Sequence, residues 1–383
     1  MFDGILGQER PKALLAKLLD EAQQDSRQKD RIGCAYLFAG PQGTGKKLMA
    51  SEFIRHLFCA TKSACGVCPG CLKLAGGNHP DLFSVTDDGD SLKIATVRAI
   101  QEDLRFHPLE APRKVCLVEG AERFTQEAQS AFLKTLEEPR DDTLFLLLTD
   151  NPEALLATIR SRCQIVRFER VRRDQLAAWL QERRGLSASE ARVEAAIAGG
   201  SPGKALAHIE EMRQLARATA QDGGKKRGDH KTDSEGSSAE DPRVALIREV
   251  AALPPAEENV VPLFKLTEKL AQKPGKADNL KMLLRTRLEI LQTFFGDMLK
   301  IRAGQADEEL VNMDLAELIR TRAARESIES LIAKLGLLEE TRRALDDNTN
   351  ARLTLDLLLM QLADLQLGFP PSACGGRVRE GSK

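Results

Sequence analysis

Four cysteines stand close together at Cys59, Cys65, Cys68 and Cys71, in the spacing C-x5-C-x2-C-x2-C. Gly66 and Pro69 lie among them and suit tight turns. Four thiolates this near to one another can complete a tetrahedron around one ion, Zn²⁺ above all. With every coordination position filled by protein, such a metal would be structural. An iron–sulfur cluster is the other chemistry the spacing allows, and four free thiols by chance is the plainest alternative. With eight cysteines in 383 residues, chance is a poor account. Cys34, Cys116 and Cys163 fall in or beside apolar runs and read as core residues, and Cys374 lies on a polar tail.

A second group is Gly40-Pro41-Gln42-Gly43-Thr44-Gly45-Lys46-Lys47. An apolar run precedes it and a helical pattern follows. In that context Gly40, Gly43 and Gly45 let backbone N–H groups converge on phosphate oxygens, the helix N-terminus adds positive potential, and Lys46 reaches the outer phosphates. The expected ligand is ATP or ADP; a glycine-rich turn without ligand is the alternative. Position 47 is unusual. A Ser or Thr there would ligate Mg²⁺, but Lys47 brings an ammonium. The spacing therefore suits architecture, or nucleotide binding without turnover.

These groups need elements to hold them. Ala35 to Ala39, Leu82 to Val85, Val115 to Val118, Leu144 to Leu148 and Ile165 to Phe168 are short, nearly continuous apolar runs. They predict strands of a parallel sheet covered on both faces. Amphipathic helical patterns lie between them; one, through Ala128, Ala131, Phe132 and Leu136, stops at Pro139. The layout is α/β, of nucleotide-binding type. Past residue 172 the pattern turns helical. Thr219 to Asp241 has no aliphatic residue larger than Ala and is rich in Gly, Ser and charge, which predicts a linker.

Composition excludes several roles. The net charge is −1, so there is no global basic field for nucleic acid. Aromatics are 4%, too few for base-stacking platforms to dominate. The first residues do not form a signal peptide and no apolar run is long enough to span a membrane, so a cytoplasmic protein is expected.

Further motifs tie these groups together. Thr158-Ile159-Arg160-Ser161-Arg162-Cys163 precedes the last strand, Leu133-Lys134-Thr135-Leu136-Glu137-Glu138-Pro139 ends a helix, Phe2 to Gln8 reads FDGILGQ, and Asn348 to Leu359 reads NTNARLTLDLLL. In this order they resemble the bacterial clamp-loader AAA+ family of DNA polymerase III, along nearly the whole chain. The cysteine module also sits where bacterial gamma, tau and delta-prime subunits carry theirs. On the residues alone, Arg162 reads as an Arg capping a helix end. The resemblance implies instead an arginine finger, catalytic in trans on the nucleotide of a neighbouring subunit.

Within the family the chain is most similar to the delta-prime branch. Active members place Asp then Glu after the third strand, for Mg²⁺ and for water activation; this chain has Glu119 and Gly120. Glu119 could still serve a metal, while Gly120 cannot act as a base. The lid motif Gly200-Ser201-Pro202-Gly203 has Gly203 where a sensor arginine is expected. The resemblance implies an AAA+ P-loop domain over 1–170 with a zinc module at about 59–71. It further implies a helical lid over 171–218, a flexible linker over 219–241, an all-α collar for oligomerisation over 242–368 and a frayed tail over 369–383. The implied function is a non-hydrolysing stator within a hetero-pentamer of gamma/tau and delta subunits, acting on the sliding clamp and primer-template DNA through the complex, with no membrane partner. A catalytically active gamma/tau-like ATPase is the alternative; a zinc-dependent nucleic-acid-binding module is a more distant one.

Overall fold

The computed structural model describes residues 1–24, 34–85, 91–140, 142–223, 242–252, 265–268, 278–346 and 351–364. These fall into two compact units, residues 1–179 with 198–206, and 180–197 with the chain from 207 onward.

In the first unit the apolar runs form five strands: β1 (Ala35–Ala39), β2 (Leu82–Val85), β3 (Lys114–Glu119), β4 (Thr143–Thr149) and β5 (Gln164–Arg167). All pairings are parallel, in the order β2-β3-β4-β1-β5. Alternation of side chains across the pleat divides the core in two. Tyr36, Phe38, Val115, Leu117, Leu144 and Leu146 meet α1 (Glu9–Gln24) and α2 (Lys46–Phe58) through Leu15, Leu19, Met49, Phe53 and Ile54. Leu37, Cys116, Val118, Phe145 and Leu147 meet the opposite helices, α4 (Ile94–Asp103), α5 (Gln126–Glu137) and α6 (Ala157–Arg162), through Val97, Ile100, Phe132 and Ile159. A short helix α3 (Pro69–Ala75) lies between α2 and β2. Thr125 caps α5 by accepting a hydrogen bond from Ala128 N–H.

The edges differ from the sequence reading. β5 is exposed at three of its four positions, with Ile165 40% exposed, and Leu82 and Phe83 of β2 are only half-buried. Only the three central strands are covered on both faces. An edge strand loses one neighbour and part of its covering helix, and short apolar runs do not report that.

Helices α7 (Arg173–Arg184), α8 (Ala188–Ile197) and α9 (Pro202–Gly223) follow. The division between units falls inside α7, between Trp179 and Leu180. α9 continues to Gly223, so the first residues of the segment expected as a linker are helical; 224–241 lie outside the described residues, as do Cys374 and the tail from 365.

The second unit contains α10 (Pro242–Ala251), α11 (Asp278–Arg302), α12 (Ala316–Ala323), α13 (Ile328–Asp346) and α14 (Ala351–Asp364). Its core is aliphatic and aromatic: Ile247 from α10, Leu284, Leu288, Leu291 and Phe294 from α11, Leu331 and Leu338 from α13, Leu358 and Leu359 from α14. One buried carboxylate, Asp297, accepts from Val311 N–H at 3.0 Å, from Asn312 N–H at 2.8 Å and from Asn312 Nδ2 at 2.9 Å, tying the irregular segment before α12 to α11. No helix among the described residues is long and apolar enough to cross a membrane.

Candidate functional site

The phosphate loop leaves the C-terminal end of β1 and enters α2 at Lys46. Gly43 and Gly45 take φ values of +75° and +96°, which side chains disfavour. The loop borders an open cleft of about 870 Å³ that also takes in Ile5, Glu119, Asp150 and Trp179. Of the residues singled out from the sequence, Gly40 stays outside it and meets the loop through its carbonyl, which accepts from Lys46 Nζ, while Gly43, Gly45, Lys46, Lys47 and Glu119 line the cleft. The opening segment reaches it because Gln8 Nε2 donates to Glu169 O at 2.6 Å and Glu169 N–H donates back to Gln8 Oε1 at 3.1 Å.

Lys46 is buried. Its ammonium donates to Gly40 O at 2.6 Å and Pro41 O at 2.8 Å and pairs with Asp150 at 2.6 Å. It therefore holds the loop in shape from within. The start of α9 also fastens the loop. Ser201 Oγ donates to Gln42 O at 2.9 Å and Gly203 N–H to Gly43 O at 2.8 Å. A Cβ at residue 203 would lie 2.8 Å from Gly43 Cα and 2.9 Å from Gly43 O, so no side chain fits where a sensor arginine would start.

Lys47 and Glu119, the two altered positions, meet. Lys47 Nζ stands 2.9 Å from Glu119 Oε1, off the axis of a hydrogen bond. Lys47 is largely exposed and Glu119 mostly buried. Mg²⁺, which this fold class ordinarily uses, does not suit these residues. The hydroxyl that would ligate it is replaced by a cation, and that cation already faces the Glu119 carboxylate. Gly120 has φ +68°, and a Cβ there would come 2.4 Å from Arg123 Nε. Arg123 Nη2 donates to Glu119 O at 3.0 Å, so a guanidinium covers the side on which a water-activating carboxylate would sit.

The cysteines gather at the other end of α2. Cys59 is its C-cap, with its N–H bonded to Arg55 O, and Cys68 is the N-cap of α3. Lys62, Ala64 and Gly66 adopt positive φ and fold the intervening chain back on itself. All four Sγ atoms lie within 4.8 Å of one another, with Cys59–Cys65 at 3.6 Å and Cys59–Cys68 at 3.9 Å. Around one tetrahedral ion with bonds of about 2.3 Å, sulfurs sit about 3.8 Å apart. The cluster can therefore hold one metal ion, whereas an iron–sulfur cluster spreads its thiolates over separate iron atoms and needs wider spacing. Burial opposes charge on Cys59, yet hydrogen bonds from Thr61 and from Cys65 N–H outweigh it and bring the thiol down to about 5. Burial pushes Cys71 up to about 12. Outside the cluster, burial also raises Cys116, and takes Cys163 to about 12, as expected of inert core thiols.

Arg162 does not line the cleft. It ends α6, with Nη1 donating to Thr158 O at 3.1 Å and Nη2 paired with Glu137 Oε1 at 2.7 Å, and it stays partly exposed. Sequence reasoning missed Glu137, Asp150 and Ser201 as partners. Each acts through a contact distant in sequence, and no local pattern marks it.

A five-stranded parallel sheet in this order, with a phosphate loop between its first strand and the next helix, is the AAA+ form of the P-loop nucleotide-binding fold. The chain belongs to the DNA polymerase III delta-prime subunit family. Residues 16–172 match the family model described as DNA polymerase III, delta subunit, and 245–364 match its C-terminal counterpart. The chain is 30% identical over 342 residues to the Bacillus subtilis delta-prime subunit, covering 89% of this chain and 94% of that one. The Escherichia coli delta-prime subunit is 33% identical over 190 residues, 48% of this chain and 57% of that one. A Mycobacterium tuberculosis gamma/tau subunit is 32% identical over 221 residues, 55% of this chain and 37% of that one. Among solved structures, a gamma subunit-related protein from Thermotoga maritima superposes with a TM-score of 0.45 at 19% identity, over 92% of this chain and 99% of that one.

Proposed function

We propose that this chain is a non-hydrolysing delta-prime subunit of the DNA polymerase III clamp loader. It helps load the sliding clamp onto primed DNA in the cytoplasm and presents Arg162 as a finger to the nucleotide of a neighbouring gamma/tau-type ATPase, with a delta subunit completing the assembly. The carrying observation is the Lys47–Glu119 pair, which puts a protein cation against the carboxylate that would help hold Mg²⁺. Gly120 and Gly203 support the same reading: a Cβ at 203 would press on the Gly43 backbone, and residue 120 has φ +68° with the Arg123 guanidinium beside it. A gamma/tau-like active ATPase fits all three positions poorly.

The cysteine cluster, in this reading, carries one structural Zn²⁺. Residues 171–218 form a lid and 242–368 a collar through which the subunits associate. In support of the collar, Ile328 and Ile332 on α13, and Leu353, Leu357 and Met360 on α14, are large apolar residues left exposed at helical spacing. Arg162, tethered by Glu137 and partly exposed, is a preorganised guanidinium of the kind that stabilises phosphoryl-transfer charge.

The test is DNA-dependent ATPase of the reconstituted complex. Arg162→Ala should lower the rate by about 10³ at the affected site, and Arg162→Lys should restore only part of it, since Lys lacks the planar fork. The isolated chain should show no turnover. An Arg162→Ala complex as active as wild type, or ATP hydrolysis by the chain alone, would end this reading.

A further inference from the structure

The helix that carries Arg162 is mounted on α5 at both of its ends. At its start, the buried Gln129 side chain of α5 accepts from Leu156 N–H at 2.7 Å and donates to Ala154 O at 3.2 Å. At its end, Arg162 meets Glu137, and both are the last residues of their helices. α5 is itself fixed from behind. Phe132 is fully buried and packs on the rings of Phe124 and Phe145, with centroids 5.5 Å apart in each pair. Gln101 Nε2 of α4 donates to Thr135 Oγ1 at 2.9 Å. A carboxylate on α5 is therefore a rigid reference point for the end of α6.

Charge makes Glu137 unusual. The C-terminal end of a helix carries negative partial charge and favours cations in its last turn, so a carboxylate as the final residue opposes the dipole. Arg162 is its one ion-pair partner among the described residues. The carboxylate is badly placed for the helix and well placed for the guanidinium. The contact is a single bond, Nη2 to Oε1 at 2.7 Å, while Nη1 donates to Thr158 O at 3.1 Å. A guanidinium has five N–H donors. Two are used here, which leaves three for phosphate oxygens. A contact that masked the guanidinium would take the bidentate fork; this one holds a corner and leaves the rest free.

We propose that Glu137 is a positioning residue for Arg162: it fixes the direction in which the guanidinium is presented to the neighbouring subunit's nucleotide. The proposal rests on the reading of Arg162 as a finger and adds what aims it.

The test is DNA-dependent ATPase of the reconstituted complex, measured as the part of the rate that Arg162→Ala removes. Glu137→Ala should lower kcat for that part about fivefold and leave KM for ATP unchanged, the size expected of a partly exposed ion pair. Glu137→Gln keeps an acceptor oxygen at the same reach and should return the rate to within about twofold of wild type. Added to Arg162→Ala, Glu137→Ala should change nothing further. The melting temperature of the chain and its incorporation into the complex should not fall in either variant. An equal loss with and without Arg162 would make Glu137 a structural residue and overturn the proposal. So would an unchanged rate, a loss confined to KM, or a faster rate, the mark of a latch that holds the guanidinium back. Each of these leaves the finger reading standing so long as Arg162→Ala removes activity; if Arg162→Ala removes none, that reading and the proposal fall together.

Discussion

One helix, α2, joins two sites that diverge in chemistry. Its first residue closes the phosphate loop and its C-cap is the first cysteine of the cluster, about 20 Å away at 1.5 Å per residue. At the cleft end Lys47 stands at the loop position where a metal-ligating hydroxyl is usual, and its ammonium faces Glu119. At the far end four thiols converge tightly enough for one ion. The cleft keeps its shape through lysine–carbonyl bonds and the clasp from Ser201 and Gly203. The cysteine loop has few apolar contacts of its own: Val67 and Leu72 are exposed. The cleft is thus held by hydrogen bonds within the protein, whereas the cysteine loop has little besides its four thiols to hold it, which makes its order the part an ion would supply.

The largest effect should follow from breaking the metal end. Cys68→Ser, or chelation, should remove one equivalent of zinc by elemental analysis. Apparent binding energies at structural zinc sites reach about 10 kcal/mol or more, so the segment around 59–75 should lose its amide-exchange protection. The sheet core should remain protected. Cys163→Ser should keep full metal content. Iron with sulfide in place of zinc, or an unchanged exchange pattern in the zinc-free chain, would refute the dependence.

A smaller effect should come from the anchor beside that end. The Phe58 and His79 rings meet at a tilt with centroids 4.4 Å apart, and the His79 ring accepts from Asp81 N–H at 3.2 Å. Asp81 is fully buried, and its carboxylate accepts from Leu109, Glu110 and Ala111 N–H at 2.7–2.8 Å. Burial alone would raise its pKa, but these donors outweigh it and hold the carboxyl below its usual range. The sign follows: the group's stability is present above its unfolded value near 3.8 and is lost as pH falls through the lower folded value. Asp81→Asn should cost about 2 kcal/mol at neutral pH and flatten the acid limb of a plot of melting temperature against pH. An acid limb identical to wild type would show that Asp81 is not the group being titrated.

At the cleft end, Gly203→Ala tests the clasp. A Cβ would press on Gly43 Cα at 2.8 Å, backbone against backbone, and overpacking of this kind costs about 1–3 kcal/mol. Melting temperature should fall while zinc content stays constant. If zinc is lost as well, the two ends of α2 are coupled and the comparison drawn above is too sharp.

The sequence carried much of this. Five strands were legible because buried parallel strands are short apolar runs, and α5 because Ala128, Phe132 and Leu136 fall on one face before Pro139. The residue types at positions 47, 119, 120 and 203 were legible as departures. Their consequences were not. That Lys47 reaches Glu119, and that Lys46 turns back on its own loop to Asp150, depends on β1, β3 and β4 lying side by side. The run from Thr219 to Gly223 read as linker because it has no aliphatic residue larger than Ala, yet Ala220 and Gln221 favour helix and α9 simply continues. Exposure of Ile165 was hidden for the opposite reason: its run is apolar, but nothing in the run reports that β5 lies at the sheet edge.

The smallest expected effect is on turnover itself. Gly120→Glu together with Lys47→Thr restores two of the residue types that active members carry, and leaves Glu119 and Gly203 as they are; if those two positions were what silenced the cleft, it should revive hydrolysis. The geometry argues otherwise. Residue 120 has φ +68°, which costs a non-glycine residue about 1 kcal/mol. Its Cβ would start 2.4 Å from Arg123 Nε, so the new carboxylate would turn towards that guanidinium and pair with it before it could orient a water. Gly203 would still offer no sensor cation. The double variant should therefore melt slightly below wild type, and its ATPase should stay at background. Adding Arg123→Ala removes the competing cation without supplying the sensor, and should leave the rate unchanged. Measurable turnover in the double variant would mean that the cleft was silenced by two side chains alone, and that its self-supporting contacts with Gly203 and Ser201 are no barrier to catalysis.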